Sequence, residues 1–199
     1  MDTVHIYADE SCLGNQFIDR DSPGGAGGLV ELWRGDGWVR RDYWSSAPGT
    51  TNNRMALIGA RDLLLALTRP CQVIFTSDSQ YLVTGMKEWV HGWARRGWKR
   101  KAGPIENVEL WQELCRAATR HQVDWRWVRG HAGHPQNEYV NHLAIRAAKK
   151  QDASGGLVPS EFTAWLEQER EKRQRYLDFF EFAEPSGEPF RAASPPPQA

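Results

Sequence analysis

The sequence predicts an α/β fold in which a β-sheet is combined with several helices. Val4, Ile6 and Ala8 alternate with more polar residues, which is the pattern of a β-strand. Two further strand-like stretches flank the turn 35–37, so the first forty-odd residues predict three antiparallel strands. After residue 50, amphipathic helices alternate with short apolar strands, which gives the order β-β-β-α-β-α-α-β-α.

The first strand ends in acidic and turn-forming residues. Asp9 and Glu10 follow its apolar part and lead into Ser11, Gly14 and Asn15. A carboxylate at the end of a buried strand is costly unless it meets a metal, a cation or several N–H donors. An aspartate that caps a turn is the alternative interpretation. Because side chains alternate along a strand, the two acids are expected to point to opposite faces.

The overall composition excludes some classes of protein. The 199 residues contain 25 Lys and Arg against 25 Asp and Glu, which argues against a strongly basic protein but leaves local patches open. The three cysteines are scattered and show neither metal-site spacing nor a disulfide framework. No apolar run approaches the roughly 20 residues of a membrane span, and no signal peptide opens the chain. We therefore expect a cytoplasmic protein without membrane contact.

A second buried strand also ends in a carboxylate. The polar stretch 50–54 begins a helix whose free N–H groups form a ready anion site, and Pro70 closes that helix. The apolar strand 71–76 then leads to Asp78. If the two strands end side by side, Asp9 and Asp78 converge on one ion-binding spot. Helices at 81–93, 107–120 and 139–149 and a strand at 123–128 complete the predicted domain.

A basic segment follows the helix that ends near residue 93. It contains Arg95, Arg96, Lys99, Arg100 and Lys101 around Trp98 and has no acidic residue. A solvated surface is the ordinary interpretation of such a run of charge. The interleaved aromatic residue and the missing acids favour a projection that contacts phosphates.

The polar loop 130–138 contains His131 and His134. A zinc pair is disfavoured because no cysteine or third histidine is suitably placed nearby. A mobile histidine that acts near a strand-end carboxylate is the favoured functional interpretation, and an ordinary surface histidine is the alternative.

The chain beyond residue 150 predicts an appendage to the main domain. Residues 151–156 have the composition of a linker, and 160–182 predict one long charged helix flanked by aromatic residues. These aromatic residues are expected to pack on the main domain or to mediate self-association with a second copy. The proline-rich end predicts disorder. The predicted division is a domain at 1–150, a linker and C-terminal helix at 151–183, and a disordered tail at 184–199.

Several segments together resemble bacterial ribonuclease H type 1 over roughly Val4 to Lys150. They are Asp9 with 11–15, the helix start 50–55, the stretch 78–81, the stretch 89–98 that leads into the basic segment, and the loop 130–135. The resemblance implies a ribonuclease H-like fold. Its mixed five-stranded sheet has three antiparallel strands followed by parallel ones and helices on both faces, to which this chain adds a C-terminal helical extension.

The resemblance also implies an activity. The family cleaves the RNA strand of an RNA–DNA hybrid with two Mg²⁺ (or Mn²⁺) ions, which activate a water and stabilise the leaving oxygen. Asp9 matches its first metal-binding acid, Asp78 its third acid, and His131 its loop histidine. The positions that match contacts to the hybrid are Cys12, Asn15, Thr51, Asn52, Gln80, Arg95, Arg96, Trp98, Lys99, Arg100 and Lys101.

Two of the four acids of this family are missing. Ala56 stands at the second acid's position and Asn141 at the fourth. Glu10 and Asn141 are candidate replacement ligands, although strand alternation argues against Glu10, and His142 is a further candidate. The chain is therefore a natural branch that binds hybrid and cleaves it weakly or not at all, an enzyme with a relocated ligand, or an engineered variant that lacks acids. A hybrid ribonuclease with weak or altered activity and an inactive nucleic-acid-binding module both stay open.

Overall fold

A six-stranded mixed sheet forms the centre of the computed structural model, which describes residues 1–14, 22–130 and 133–197. The strands are β1 (Thr3–Cys12), β2 (Ser22–Trp33), β3 (Trp38–Thr50), β4 (Gln72–Ser77), β5 (Gln122–Trp127) and β6 (Val158–Pro159). They lie in the order β5-β4-β1-β2-β3-β6. The first three are antiparallel neighbours, and β4 and β5 continue the sheet parallel to β1. The predicted fold class is confirmed. The sheet has one strand more than predicted, because β6 pairs with Arg41 and Asp42 of β3.

Helices cover both faces of this sheet. They are α1 (Asn52–Leu65), α2 (Gln80–Thr84), α3 (Val90–Arg95), α4 (Val108–Ala118), α5 (Pro135–Lys150) and α6 (Phe162–Arg173), and a π-helical turn at Gly85–Trp89 joins α2 to α3. The glycine-rich strand β2 allows two of them to approach closely. A Cβ atom on Gly28 would lie 2.7 Å from Leu63 of α1, and one on Gly27 would overlap the Val140 carbonyl of α5. The two helices therefore pack on opposite faces of β2.

Two buried clusters stabilise the domain. The larger one lies on the α1 side of the sheet and includes the fully buried residues Ile6, Phe75 and Trp111. The smaller one lies on the α5 side and joins Tyr139 to Phe162. Burial of such large side chains contributes about 1.5–3 kcal/mol each relative to exposure.

The C-terminal helix packs on the main domain of its own chain. Phe162 and Leu166 are fully buried in the cluster that contains residues of α5. The helix is shorter than the predicted 160–182, because Gln174 and Tyr176 adopt left-handed conformations with φ of 55° and 58°. These residues end the helix after Arg173 and turn the chain back. Phe162 and Leu166 are thus covered within the chain, whereas Leu177, Phe180 and Phe182 after the helix stay exposed.

Buried polar groups fasten this extension to the sheet. The Asp42 carboxylate is only 2 % exposed and accepts hydrogen bonds from the Ser160 hydroxyl (2.6 Å), the Glu161 N–H (3.0 Å) and the Tyr139 hydroxyl (2.5 Å). Such charge-assisted hydrogen bonds are stronger than neutral ones. They fix the start of α6 against β3.

The last part of the chain lies along β5. The segment for which disorder was predicted, 184–199, is described up to residue 197, and its Ala193 N–H donates to the Val123 carbonyl at 2.8 Å. The boundaries proposed at residues 150 and 183 stay predictions. Among the helices of the described residues, none has the length and apolarity that a membrane crossing requires.

Candidate active site

Two neighbouring strands end together in acidic residues. The parallel pairing of β1 with β4 stops at Ala8 and Ser77, so that Asp9 and Asp78 both come directly after the last pair. Asp9, Glu10 and Asp78 each offer one carboxylate oxygen, and these atoms all lie within 4.8 Å of one another. The structure therefore brings the two predicted acids together and adds Glu10 to them.

The position of Glu10 follows from the register of the sheet. Asp9 pairs with Gly27, on which α5 packs, whereas Glu10 pairs with Ala26, whose Cβ lies against Gly59 of α1. The two residues thus belong to opposite faces, as strand alternation predicts. Alternation does not separate their carboxylates, however. The strand β4 ends at Ser77, so it does not flank β1 at Asp9 and Glu10. The two side chains can therefore bend around this open edge of β1 and bring their carboxylates together.

Two of the three carboxylates, those of Asp9 and Glu10, have an unfavourable environment for their charge. Burial is the largest cause that raises the pKa of Asp9, and the nearby charge of Asp78 raises it further. Burial likewise raises the pKa of Glu10 well above its ordinary value, followed by the charges of Asp9 and Asp78. A divalent cation would remove this repulsion, and carboxylate oxygens are the ligands that Mg²⁺ and Mn²⁺ prefer. The donor set therefore fits a hard divalent metal ion.

Hydrogen bonds hold two of these carboxylates in place. The Glu10 N–H donates to Oδ1 of Asp9 at 2.7 Å. The Ser79 hydroxyl donates to the Glu10 carboxylate. Ser79 also caps α2 by accepting from the Leu82 N–H at 3.4 Å. Ser79 was not among the residues predicted from the sequence, although it follows Asp78 directly and begins a helix.

The end of β5 and the loop that follows it contact Asp78 and the residue before it. The Trp127 indole N–H donates to the Asp78 carbonyl at 3.0 Å, and the Val128 N–H donates to the Ser77 carbonyl at 3.1 Å. A Cβ atom on Gly130 would overlap the Asp78 carboxylate. The loop that leads to His131 therefore begins on the candidate metal site. His131 itself lies outside the described residues, so its proximity to the acids stays a prediction.

Ala56 lies in the row of α1 that faces the sheet. Met55 packs towards Gly24 and Gly59 towards Ala26, and Ala56 between them is 5 % exposed. Glu10 is paired with Ala26 in the same layer. Ala56 and Glu10 therefore both belong to the layer between the sheet and α1.

Helix α5 contributes three polar residues that differ in their surroundings. Asn141 is half-buried and follows Val140, whose carbonyl lies against Gly27, the partner of Asp9. Glu138, one turn earlier, is close enough for its charge to raise the pKa of Asp9. His142 belongs to the exposed residues. Partial burial of its ring lowers its pKa, and the charge of Arg146 lowers it further. The charge of Glu169 in α6 also acts on His142, which places it on the side of the extension.

The predicted substrate contacts outside the basic segment differ in exposure and in hydrogen bonding. Thr51 is the N-cap of α1 and accepts from the Arg54 N–H at 3.3 Å. Asn52 is half-buried, and its Oδ1 has no partner in the described part of the chain. Gln80 is exposed at the start of α2. The Cys12 thiol is buried against Gly24, so a substrate contact at Cys12 would involve its backbone. Asn15 lies outside the described residues.

The basic segment projects between α3 and α4. Its exposed cations have no ion pair with any residue in 1–14, 22–130 or 133–197, and they are Arg95, Arg96, Lys99, Arg100 and Lys101. Trp98 differs from them because it is half-buried and packs against the main core. Its N–H donates to the Trp93 carbonyl at 2.8 Å. Trp98 anchors the projection, and the cations are available to an anionic partner.

Comparisons with known proteins agree with this geometry. The family model described as RNase H matches residues 1–149. Ribonuclease H of Herminiimonas arsenicoxydans is 46 % identical over 150 residues, which are 75 % of this chain and 97 % of that protein. Ribonuclease H of Shewanella sp. (strain ANA-3) is 47 % identical over 147 residues, or 73 % of this chain and 87 % of that protein.

Solved structures extend the similarity to the C-terminal extension. The crystal structure of LC9-RNase H1, described as a type 1 RNase H with the type 2 active-site motif, is 47 % identical with a TM-score of 0.87. The match covers 100 % of this chain and 95 % of that chain, so the extension also has a counterpart there. The RNase H domain of PFV shares the fold at 12 % identity and a TM-score of 0.56, over 75 % of this chain and 94 % of that one. By its sequence and its fold, the chain belongs to the RNase H family.

Proposed function

We propose that this protein is a ribonuclease H that hydrolyses the RNA strand of RNA–DNA hybrids with a divalent metal, Mg²⁺ or Mn²⁺. The observation that carries this proposal is the convergence of Asp9, Glu10 and Asp78 within 4.8 Å at the ends of two neighbouring strands. The names of the relatives support the reaction, and the exposed cations between α3 and α4 support a nucleic-acid substrate.

We assign to Glu10 the role that Ala56 cannot perform. With Glu10 included, the site supplies three negative charges towards two divalent ions, and a scissile phosphate supplies more. LC9-RNase H1 is described as a type 1 RNase H with the type 2 active-site motif, so a relative at 47 % identity also departs from the type 1 pattern. A relocated acid explains the missing one without requiring loss of activity.

The remaining residues have supporting roles in this proposal. A bound divalent ion supplies an activated water and stabilises the leaving oxygen. The Ser79 hydroxyl and the Glu10 N–H orient the carboxylates that hold it. The free N–H groups at the start of α1 and the side chains of Thr51 and Asn52 face the backbone of the bound nucleic acid. His131 assists proton movement or product release, and the basic segment holds the DNA strand.

The test is cleavage of an RNA–DNA hybrid labelled on the RNA strand, in Mg²⁺ and separately in Mn²⁺. Glu10→Gln and Asp78→Asn remove one charge each while keeping size, and each is expected to reduce cleavage about a thousandfold, equivalent to about 4 kcal/mol of transition-state stabilisation. Glu184→Gln makes the same change at an exposed position and should leave cleavage unchanged. Both active-site variants should still bind hybrid, because the basic segment is intact.

The alternative function is a hybrid-binding module without catalysis. Ala56 and Asn141 favour it, because neither supplies an anionic ligand. This alternative predicts salt-sensitive hybrid binding, no cleavage in either metal, and no effect of Asp78→Asn on binding. Loss of cleavage in Glu10→Gln relative to an active parent protein excludes it.

A further inference from the structure

The edge strand β5 has a second neighbour besides β4. On its outer side lies the C-terminal segment 188–193, which is hydrogen-bonded to Val123, Asp124 and Arg126 of the strand. The Ala193 N–H donates to the Val123 carbonyl at 2.8 Å, and the Arg191 N–H donates to the Asp124 carboxylate at 3.1 Å. Ala193 also packs against the main core. This segment therefore pairs the Val123 carbonyl, a backbone group on the outer edge of β5, and also bonds to side chains of the strand.

Arg126 joins the same segment to the middle of the strand. Its guanidinium donates to Asp124 at 2.8 and 3.0 Å, to Glu188 at 2.6 Å and to the Pro189 carbonyl at 3.3 Å. The Arg126 side chain is 24 % exposed, whereas that of Glu188 is 69 % exposed. The ion pair with Glu188 is therefore expected to be weak, and the backbone contacts carry most of the attachment.

The C-terminal end of β5 and the residues that follow it contact Ser77 and Asp78. Trp127 donates to the Asp78 carbonyl, Val128 donates to the Ser77 carbonyl, and the backbone of Gly130 covers the Asp78 carboxylate. Between Val123 and Trp127 there are only three residues of continuous strand. A displacement of β5 at the C-terminal segment is thus transmitted directly to groups that touch Asp78.

We propose that the C-terminal segment 188–193 positions Asp78 for metal binding by fastening the edge strand β5. This inference rests on the proposed function, in which Asp78 is a metal ligand. Arg126, Arg191 and Ala193 are positioning residues here, since they act on Asp78 through β5 and touch neither metal nor substrate. In this proposal the C-terminal segment affects metal binding at the active site, although it lies on the outer side of β5.

The test uses two matched proline substitutions in the full chain. Ala193→Pro removes the N–H that bonds to Val123, whereas Ala192→Pro places the same residue at the adjacent exposed position, for which the described structure gives no hydrogen bond. We expect Ala193→Pro to raise the Mn²⁺ dissociation constant, measured calorimetrically well below the unfolding temperature, by about threefold to tenfold, the equivalent of one backbone hydrogen bond. Metal-free binding of hybrid should not change.

A second pair of variants tests the same inference if the proline variants fail to fold. Arg126→Gln removes the bonds to Asp124, Glu188 and Pro189, and Arg120→Gln is its control at an exposed position just before β5. A smaller weakening of Mn²⁺ binding in the same direction is expected for Arg126→Gln, and none is expected for Arg120→Gln. A purely structural role would lower the unfolding temperature and leave the Mn²⁺ dissociation constant at the control value, which overturns the inference.

Failure of this inference can be distinguished from failure of the proposed metal site. If Asp78→Asn weakens Mn²⁺ binding but neither Ala193→Pro nor Arg126→Gln does, this inference alone is wrong. If Asp78→Asn leaves Mn²⁺ binding unchanged, the metal site of the proposed function is wrong, and this inference is wrong with it.

Discussion

In the proposed function, Glu10 of β1 supplies the acid that is missing at Ala56 of α1. Glu10 pairs with Ala26, which packs on α1 one turn from Ala56. Because Ala56 is buried, an acidic side chain at this position would have to share the layer with Glu10. An acid on β1 therefore replaces an acid on α1 only if the helix position is small, which Ala56 is.

The expected consequence is that the acid can be moved back. Glu10→Gly should reduce hybrid cleavage about a thousandfold, which corresponds to about 4 kcal/mol, and Glu10→Gly combined with Ala56→Glu should recover most of it. Ala56→Glu alone should not raise kcat/KM, because two carboxylates then crowd one position. Steady-state kinetics of the three variants check this, and a sharp gain from Ala56→Glu alone would show that the two side chains occupy different places.

Gly130 is a second residue whose size matters. A Cβ atom there would overlap the Asp78 carboxylate, which cannot move away without leaving Asp9 and Glu10. We expect Gly130→Ala to weaken Mn²⁺ binding roughly 10- to 100-fold, the range found when groups that orient metal ligands are altered. Gly37→Ala is the control, since a Cβ atom at Gly37 meets no atom within 4 Å. Equal Mn²⁺ titrations of the two variants would contradict this role.

At the scale of elements, the π-helical turn Gly85–Trp89 has a packing cause. A Cβ atom on Gly85 would overlap the Trp111 indole, which is fully buried in α4. The glycine lets the α2–α3 segment lie directly on this ring. The turn thus sets the distance between that segment, which precedes the basic projection, and the core of the domain.

Alanine substitutions in this segment should therefore have opposite effects. Gly85→Ala should reduce the free energy of unfolding by about 1–3 kcal/mol, the usual cost of overpacking a core. Gly92→Ala, in α3, should be neutral or stabilise by up to about 1 kcal/mol, because a Cβ atom there meets only the flexible end of Arg96 at 3.3 Å. Urea unfolding of both variants measures the difference, and equal midpoints would show that Trp111 can shift.

Elements with regular periodicity could be predicted from the sequence, and irregular ones could not. Alternation along β1 and the apolar face of α1 give clear patterns, whereas β6 has only two residues and depends on pairing with β3. The end of α6 depends on left-handed Gln174 and Tyr176, residue types with no strong preference for that conformation. The convergence of Glu10 with Asp9 depends on where β4 ends, which is a property of two strands together.

At the scale of the whole molecule, the net charge is zero, but acidic and basic residues are concentrated in different places. The total of 25 basic and 25 acidic residues conceals a partly buried acid cluster and an exposed cationic projection. Folding concentrates the acids where burial raises the pKa values of Asp9 and Glu10. The stability of the metal-free protein should therefore depend on pH through this cluster.

The sign of this dependence follows from proton binding. In the unfolded chain Asp and Glu have pKa values of about 3.9 and 4.3. Above about pH 4 the folded state therefore keeps protons on Asp9 and Glu10 that the unfolded state has lost. The stabilising contribution is fully present below about pH 4, and it is lost as the pH rises towards the raised pKa values of the folded state. A bound divalent cation should reverse this loss, because it binds the deprotonated form.

We expect the unfolding temperature in EDTA to fall between pH 5 and pH 8 more steeply for the parent protein than for Asp9→Asn, which keeps the shape of the side chain and removes its charge. Other buried acids, such as Glu31 and Asp42, contribute equally to both proteins, so the difference between the two slopes isolates the cluster. Adding Mg²⁺ should raise the parent's unfolding temperature at pH 8 and have less effect on Asp9→Asn. Parallel pH profiles in EDTA would mean that Asp9 is already ionised in the folded protein without metal.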